Sequence, residues 1–212
     1  MPTSEYYSQP RHDIAELVPR EAQRVLDVGC GFGALGGVLM SRSPCEVHGI
    51  ERNPAAEAQL RQHYARYIIG DVETSVGAFK GERYDCIVFA DILEHLVDPW
   101  RVLRHFSALL TPDGCVVASI PNIRNGGIIA NLLLRGRWRY VDSGILDSTH
   151  LRFFTRLEIV DLFSQAGLLV EKVVGKRDRH SLRLAVALAL PILFVPELAI
   201  CQFLVRARRP FE

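Results

Sequence analysis

Val25-Leu26-Asp27-Val28-Gly29-Cys30-Gly31-Phe32-Gly33 is the stretch on which the reading of this chain turns. A short apolar run carrying one acid passes straight into three glycines at alternate positions, and a helical pattern follows. A strand that ends in a glycine turn lets the backbone approach a ligand closely. The helix N-terminus beyond it offers N–H groups and the positive end of a dipole. Glu51 closes the next strand-like run, 22 residues after Gly29. A carboxylate there can accept both hydroxyls of a ribose. Gly31-Phe32-Gly33-Ala34-Leu35-Gly36 also matches G-x-G-x-x-G, so an NAD-binding oxidoreductase is a rival reading. Asp27 counts against it, because a carboxylate at the strand end crowds a pyrophosphate but suits a cationic ligand. A second domain to hold a hydride acceptor is not expected in 212 residues either.

Outward from that turn, short runs rich in Val and Ile alternate with helical patterns. Strands are expected at 24–28, 46–50, 67–70, 84–90 and 114–120, then at 168–174 and 202–208. Continuous apolar runs of this kind suit a parallel sheet buried on both faces. Asn53-Pro54 and Asp98-Pro99 each read as a helix cap followed by proline at the first helical position. Thr111-Pro112-Asp113-Gly114 reads as a turn. Thr155 to Glu158 reads as a capping box, with Gly167 as the C-terminal cap of its helix. The repeated strand–helix rhythm predicts an α/β, doubly wound sheet with right-handed crossovers. The whole chain, 1–212, is expected to be one domain. Two stretches break the rhythm, 122–150 and the very apolar 181–200.

Composition narrows the classes. The 25 Lys+Arg against 24 Asp+Glu give a net charge of +1, which removes the broad basic surface of a nucleic-acid binder. The five cysteines, Cys30, Cys45, Cys86, Cys115 and Cys201, are odd in number and widely spaced. That predicts reduced thiols in a cytoplasmic protein, without a disulfide frame or a metal cluster. Residues 1–11 are polar, so no signal peptide is expected. The mean hydropathy of +0.12 is high for an enzyme of this size, and much of the surplus falls in 181–200.

The motifs together resemble class I S-adenosylmethionine-dependent methyltransferases, over roughly residues 6–175. Asp27 through Gly33 resembles the first signature of that family. Glu51 resembles its ribose-binding acid, and Gly70-Asp71-Val72 the segment that meets adenine. Tyr84 through Leu96 resembles the fourth-strand signature of the small-molecule branch, and Leu110 through Gly114 the turn before its fifth strand. The resemblance implies a Rossmann-like seven-stranded sheet, mostly parallel with an antiparallel last strand. It implies S-adenosylmethionine as cofactor, with Asp27, Gly29, Cys30, Gly31, Gly33, Glu51, Asp71, Val72, Ala90 and Asp91 around it. The reaction implied is in-line displacement at the sulfonium methyl, in which the protein mainly positions the partners.

The acceptor side is expected in 122–150. An alcohol acceptor must lose a proton as it attacks, and histidine is the natural base. His150, in Asp147-Ser148-Thr149-His150-Leu151-Arg152, is the first candidate, and His95, at helical spacing from Asp91, is the second. In Arg135-Gly136-Arg137-Trp138-Arg139-Tyr140 an extended chain would put the arginines on one side and the aromatics on the other. Asn122, Arg135, Arg137, Trp138 and Tyr140 are therefore expected to meet the acceptor, with no metal.

The stretch from Pro121-Asn122 through Thr155 is similar to methyltransferases found with bacterial surface-polysaccharide synthesis. That resemblance favours a saccharide hydroxyl. The alternative acceptor is a lipid quinone precursor, since the quinone O-methyltransferases share the Asp27–Gly33 and Leu93-Glu94-His95 signatures. An inactive cofactor-binding scaffold is the non-enzyme reading. The 181–200 run is interrupted by Pro191, Pro196 and Glu197, so an apolar helix pair is expected there rather than a membrane span. Its expected roles are peripheral docking on a membrane, a dimer interface or a cover for the active site.

Overall fold

The computed structural model describes residues 10–177 and 195–210. Most of the apolar 181–200 insertion lies outside the described residues, and with it the expected docking surface. Among the described residues no helix is long and apolar enough to cross a membrane.

The chain builds one seven-stranded sheet in the order β3-β2-β1-β4-β5-β7-β6. Its strands are β1 Arg24–Val28, β2 Glu46–Glu51, β3 Arg66–Ile69, β4 Tyr84–Ala90, β5 Leu110–Pro121, β6 Leu169–Lys176 and β7 Gln202–Arg208. Pairs β1–β2, β1–β4, β2–β3 and β4–β5 are parallel. Strand β7 enters antiparallel between β5 and β6. The helices are α1 His12–Ala15, α2 Ala34–Arg42, α3 Glu57–His63, α4 Pro99–Ser107, α5 Gly126–Arg135 and α6 Arg156–Gln165.

The side-chain period of two sorts β1 between two cores. Leu26 and Val28 join Phe89, Phe106 and Phe163 on one face. Val25 joins Ile14, Leu35, Leu39 and Val117 on the other. Helix α4 starts where Asp98 accepts from the Arg101 amide at 3.0 Å. It lays Val102, Leu103 and Phe106, all fully buried, on the sheet. Burial of each such side chain contributes about 1.5–3 kcal/mol. Helix α6 carries the expected capping box between Thr155 and Glu158, and Gly167 beyond it takes φ +76°.

One local expectation fails. Residues 111–114 do not form a separate turn; they lie inside β5. The register against β4 jumps from Tyr84 opposite Leu110 to Cys86 opposite Cys115. The extra residues bulge out while pairing continues on both sides, so proline and glycine shape a bulge here.

Register also places the site. Val28 sits between Ile50 of β2 and Phe89 of β4. Glu51, the last residue of β2, and Gly29 and Asp91, just beyond β1 and β4, therefore emerge along one edge. That edge is the carboxyl end of the parallel strands, at the point where chain order reverses on either side of β1, and open α/β sheets bind ligands there.

Candidate functional site

A cavity of about 390 Å³ opens at this edge. Its wall takes Asp27, Gly29, Cys30 and Gly31 from the glycine turn, and Ala90, Asp91 and Glu94 from the end of β4. Ile145 and His150 come from the long segment before α6, and Arg11, Lys176 and Gln202 close the rim.

The glycine turn is built from its own hydrogen bonds. The Gly29 and Cys30 amides donate to the Ile50 carbonyl at 2.8 and 3.0 Å, and Gly33 donates to the Cys30 carbonyl at 2.9 Å. The Gly31 amide donates to Glu51 Oε2 at 2.8 Å. These amides are thus already used, and the free N–H groups that would cradle a pyrophosphate are not found at these four positions. Gly29 adopts φ +75°, and a Cβ there would lie 2.9 Å from Ile92. Gly36, the last glycine of the dinucleotide-like pattern, serves another purpose. A Cβ on it would come within 2.5 Å of the Tyr64 ring. The pattern makes room for a tyrosine.

Four acids define the electrostatics. Asp27 is 1% exposed. Burial raises its carboxyl to about 7, with Glu51 adding to the rise, while the Tyr64 hydroxyl and Arg11 oppose it. Glu51 accepts from Gly31 and, through Oε1, from the Asn53 amide at 2.7 Å. Two amides leave a carboxylate with lone pairs for further donors. Asp91 stands at φ +56°. Ser119 Oγ donates to its Oδ1 at 2.8 Å, and Arg11 and Gln202 close on it from the rim. Glu94 is 1% exposed, and neither carboxylate oxygen has a hydrogen-bond partner among the described residues. Burial, and then the charge of Asp91, push its carboxyl well above the usual range.

His95 and His150 meet edge to face, with ring centres 4.7 Å apart. Their Nδ1 atoms face oxygens. That of His150 lies 3.0 Å from the Ile145 carbonyl, and that of His95 lies 3.3 Å from the Thr149 carbonyl. A carbonyl can only accept, so both rings carry hydrogen on Nδ1 and keep a lone pair on Nε2 when neutral. Thr149 in turn donates its hydroxyl to Asp147 at 2.7 Å. The Leu151 and Arg152 amides both donate to the Glu94 carbonyl, at 2.8 and 3.0 Å. That pair clamps the His150 segment to the turn carrying Glu94 and His95. Burial and the nearby His150 lower the pKa of His95.

The remaining expected residues divide. Asp71 and Val72 are not among the residues lining the cavity. The Asp71 carboxylate accepts from the Glu73 amide at 2.8 Å, and Val72 packs in the main core. Gly33 and Glu51 are likewise not among the residues lining the cavity; Gly33 closes the turn on the Cys30 carbonyl, and Glu51 holds the Gly31 amide. Asn122 is fully buried and spends its amide on the Glu197 and Ile200 carbonyls, at 3.0 and 2.9 Å. It ties the end of β5 to the chain entering β7 and does not face the cavity. Arg135, Arg137 and Arg139 line a separate cavity of about 300 Å³ beside α5. Trp138 and Tyr140 both lie against Phe153, at 5.3 and 6.4 Å between ring centres. Phe153 stands 6.4 Å from His150.

Arg11, Tyr64, Lys176 and Gln202 are site residues that sequence reading passed over. They are single polar residues with no motif around them, drawn in from elements far apart in the chain. Glu94 lay in view within Leu93-Glu94-His95, but its isolation is a tertiary fact.

A family model described as a methyltransferase domain matches residues 3–173. A ubiquinone biosynthesis O-methyltransferase of Cereibacter sphaeroides is 32% identical over 162 residues, covering 74% of this chain and 64% of that protein. A namesake from Neisseria meningitidis serogroup A is 28% identical over 161 residues, 72% and 66% of the two chains. The match thus spans slightly under two thirds of the length of the Cereibacter relative. A solved S-adenosylmethionine-dependent methyltransferase from Archaeoglobus fulgidus superposes with a TM-score of 0.71 at 14% identity, over 98% of this chain and 95% of that one. An O-methyltransferase from a Brevibacillus brevis polyketide multienzyme, in complex with S-adenosyl-L-homocysteine, gives 0.60 at 16% identity, over 93% and 71%.

Proposed function

The chain belongs to the methyltransferase-domain family, the class I S-adenosylmethionine-dependent methyltransferases, and from that premise we propose that it moves the methyl group of S-adenosylmethionine to a hydroxyl of a small molecule. The observation that carries the proposal is the acid-lined cavity over a turn whose own amides are spent. Such a site repels a pyrophosphate and suits a cationic ligand with ribose hydroxyls.

The residues fit that cofactor. Asp27 attracts its positive charge, and binding draws the carboxyl towards its ionised form. Glu51, with lone pairs beyond its two amides, accepts from the ribose hydroxyls. When bound, the cofactor supplies an activated methyl on sulfur. The protein's part is to align acceptor and methyl and to exclude water. His150 activates the acceptor, because its Nε2 lone pair is fixed by the Nδ1 bond to Ile145 and lies at the cavity wall.

For the acceptor, the relatives named for ubiquinone biosynthesis favour a quinone-precursor hydroxyl over the saccharide hydroxyl expected from the 122–150 segment. The run of rings from His150 through Phe153 to Trp138 and Tyr140 supports that choice. Aromatic faces pack well on a planar acceptor.

Titration calorimetry with S-adenosylhomocysteine and with NAD tests the reading. Binding of the homocysteine product without NAD is expected; the reverse overturns it. His150→Ala should lower turnover on a hydroxylated quinone precursor by a hundredfold or so, leaving S-adenosylhomocysteine affinity unchanged. Unaltered turnover would remove His150 from the reaction.

A further inference from the structure

Among the described residues, one group of metal-ligating side chains converges: Glu94, His95 and His150, with one ligand atom from each within 4.8 Å of the others. We propose that these three residues bind a divalent transition ion of the zinc type, with an open coordination position towards the cavity. The inference rests on the methyltransferase reading for its role, but not for its existence.

Three independent features point to an ion. The first is Glu94. A carboxyl that is 1% exposed with both oxygens unpartnered among the described residues is a rare thing to keep inside a protein. Leaving a buried polar atom unsatisfied costs about 1–3 kcal/mol. An ion is a partner that would satisfy it.

The second is the pair of histidines. Ligating imidazoles almost always give their other ring N–H to a carbonyl or carboxylate, which fixes the tautomer and aims the ring. His150 gives Nδ1–H to the Ile145 carbonyl, and His95 gives its own to Thr149, which is itself anchored on Asp147. The outer bonds of a metal site are therefore already in place around both rings.

The third is rigidity and position. The two amides donated to the Glu94 carbonyl hold the His150 segment against the 93–95 turn. Glu94 and His150 both line the cavity. Two imidazole nitrogens and one carboxylate oxygen are a donor set for zinc, iron(II), cobalt or manganese, not for calcium or magnesium, which take mainly oxygen. Tetrahedral ligands at about 2.0–2.1 Å from an ion stand about 3.4 Å apart. The three ligand atoms lie within 4.8 Å of one another, so an ion would draw them closer together. Three protein ligands with one open position is the arrangement of catalytic zinc sites. A hydroxyl oxygen on such an ion gives up its proton near neutral pH. His150 would then activate the acceptor through the ion rather than by taking the proton itself.

Cobalt(II) is the probe, because it reports its ligands by colour. The full chain is stripped with chelator, dialysed and titrated with Co²⁺ under reducing conditions. The expected result is one equivalent bound, with weak visible bands of nitrogen and oxygen ligands, displaced by Zn²⁺. Glu94→Gln, which keeps the side-chain volume, should weaken binding by tenfold or more, and His95→Asn should do the same. No stoichiometric uptake, uptake unchanged in both variants, or the intense near-ultraviolet bands of cysteine thiolate would each overturn the site. The wild-type spectrum decides even if a variant fails to fold. A parallel titration with S-adenosylhomocysteine separates the two readings. Cofactor binding without cobalt binding removes the ion and leaves the methyltransferase proposal standing. Cobalt binding without cofactor binding does the opposite.

Discussion

The hydroxyl of Tyr64 donates to Oδ2 of Asp27 at 2.7 Å, and both groups are buried. One comes from the residue after α3 and the other from the end of β1. Gly33, Gly36 and Gly49 give the tyrosine ring its space. This contact joins the end of α3 to the acid that faces the cavity, and it is the only thing holding that carboxylate oxygen among the hydrogen bonds described.

Removing the hydroxyl tests the contact. Tyr64→Phe leaves a buried carboxylate oxygen unsatisfied, so it should lower the unfolding free energy by about 1–3 kcal/mol. It should also weaken S-adenosylhomocysteine binding at neutral pH, because the lost bond favoured ionised Asp27. Urea unfolding and calorimetry read the two effects.

Asp27 makes stability depend on pH. Its carboxyl sits at about 7 in the folded chain against an ordinary 3.8. The folded state keeps this proton where the unfolded state has lost it. Stability therefore falls as pH rises through the window between those values. Asp27→Asn has no such group. Its stability relative to the wild type should rise steadily across the window and level off above it, measured as urea midpoints at each pH. A constant difference would contradict the raised pKa.

The same group predicts proton release. A ligand with an ammonium group favours the ionised carboxylate, so S-adenosylhomocysteine binding near pH 6.5, just below the raised pKa of about 7, should expel part of a proton from Asp27. Calorimetry in two buffers of different ionisation enthalpy measures it. Asp27→Asn should show less release.

Gly36 and Gly37 are adjacent in α2 but should behave oppositely. An added Cβ at Gly36 would lie 2.5 Å from the buried Tyr64 ring, while at Gly37 it meets nothing within 4 Å. Gly37→Ala should stabilise by up to about 1 kcal/mol, as expected for a helix interior. Gly36→Ala should destabilise by about 1–3 kcal/mol through overpacking. Denaturant midpoints of the two variants decide.

Asn122 was expected to touch the acceptor, and its contacts assign it another task. Asn122→Ala should cost about 1–3 kcal/mol by freeing the Glu197 carbonyl and leaving the Ile200 carbonyl to Asn125 Nδ2 alone. S-adenosylhomocysteine affinity should not change. A normal unfolding midpoint together with weakened acceptor binding would return Asn122 to the acceptor site.

The amino-acid sequence by itself determined the strands, the caps and the glycine turn. These depend on neighbours a few residues apart: Asp98 capping Arg101, Thr155 boxed with Glu158, Gly167 taking a left-handed φ. It also determined which strand ends carry the acids Asp27, Glu51 and Asp91, because strand order in this fold family follows from the motifs. What it could not contain was the partner of each acid. Gly31-Phe32-Gly33-Ala34-Leu35-Gly36 looks the same whether its amides are free or spent, and only the packed structure brings Glu51 to Gly31 and Tyr64 to Gly36. Asp71 and Asn122 carry suitable chemistry for a site, yet their hydrogen bonds go to local and distant backbone. His95 and His150 stand 55 positions apart in the chain, and the clamp on the Glu94 carbonyl closes that gap. Such assignments are decided by competition among long-range partners for a few buried donors and acceptors, and that competition is settled only when the chain is folded.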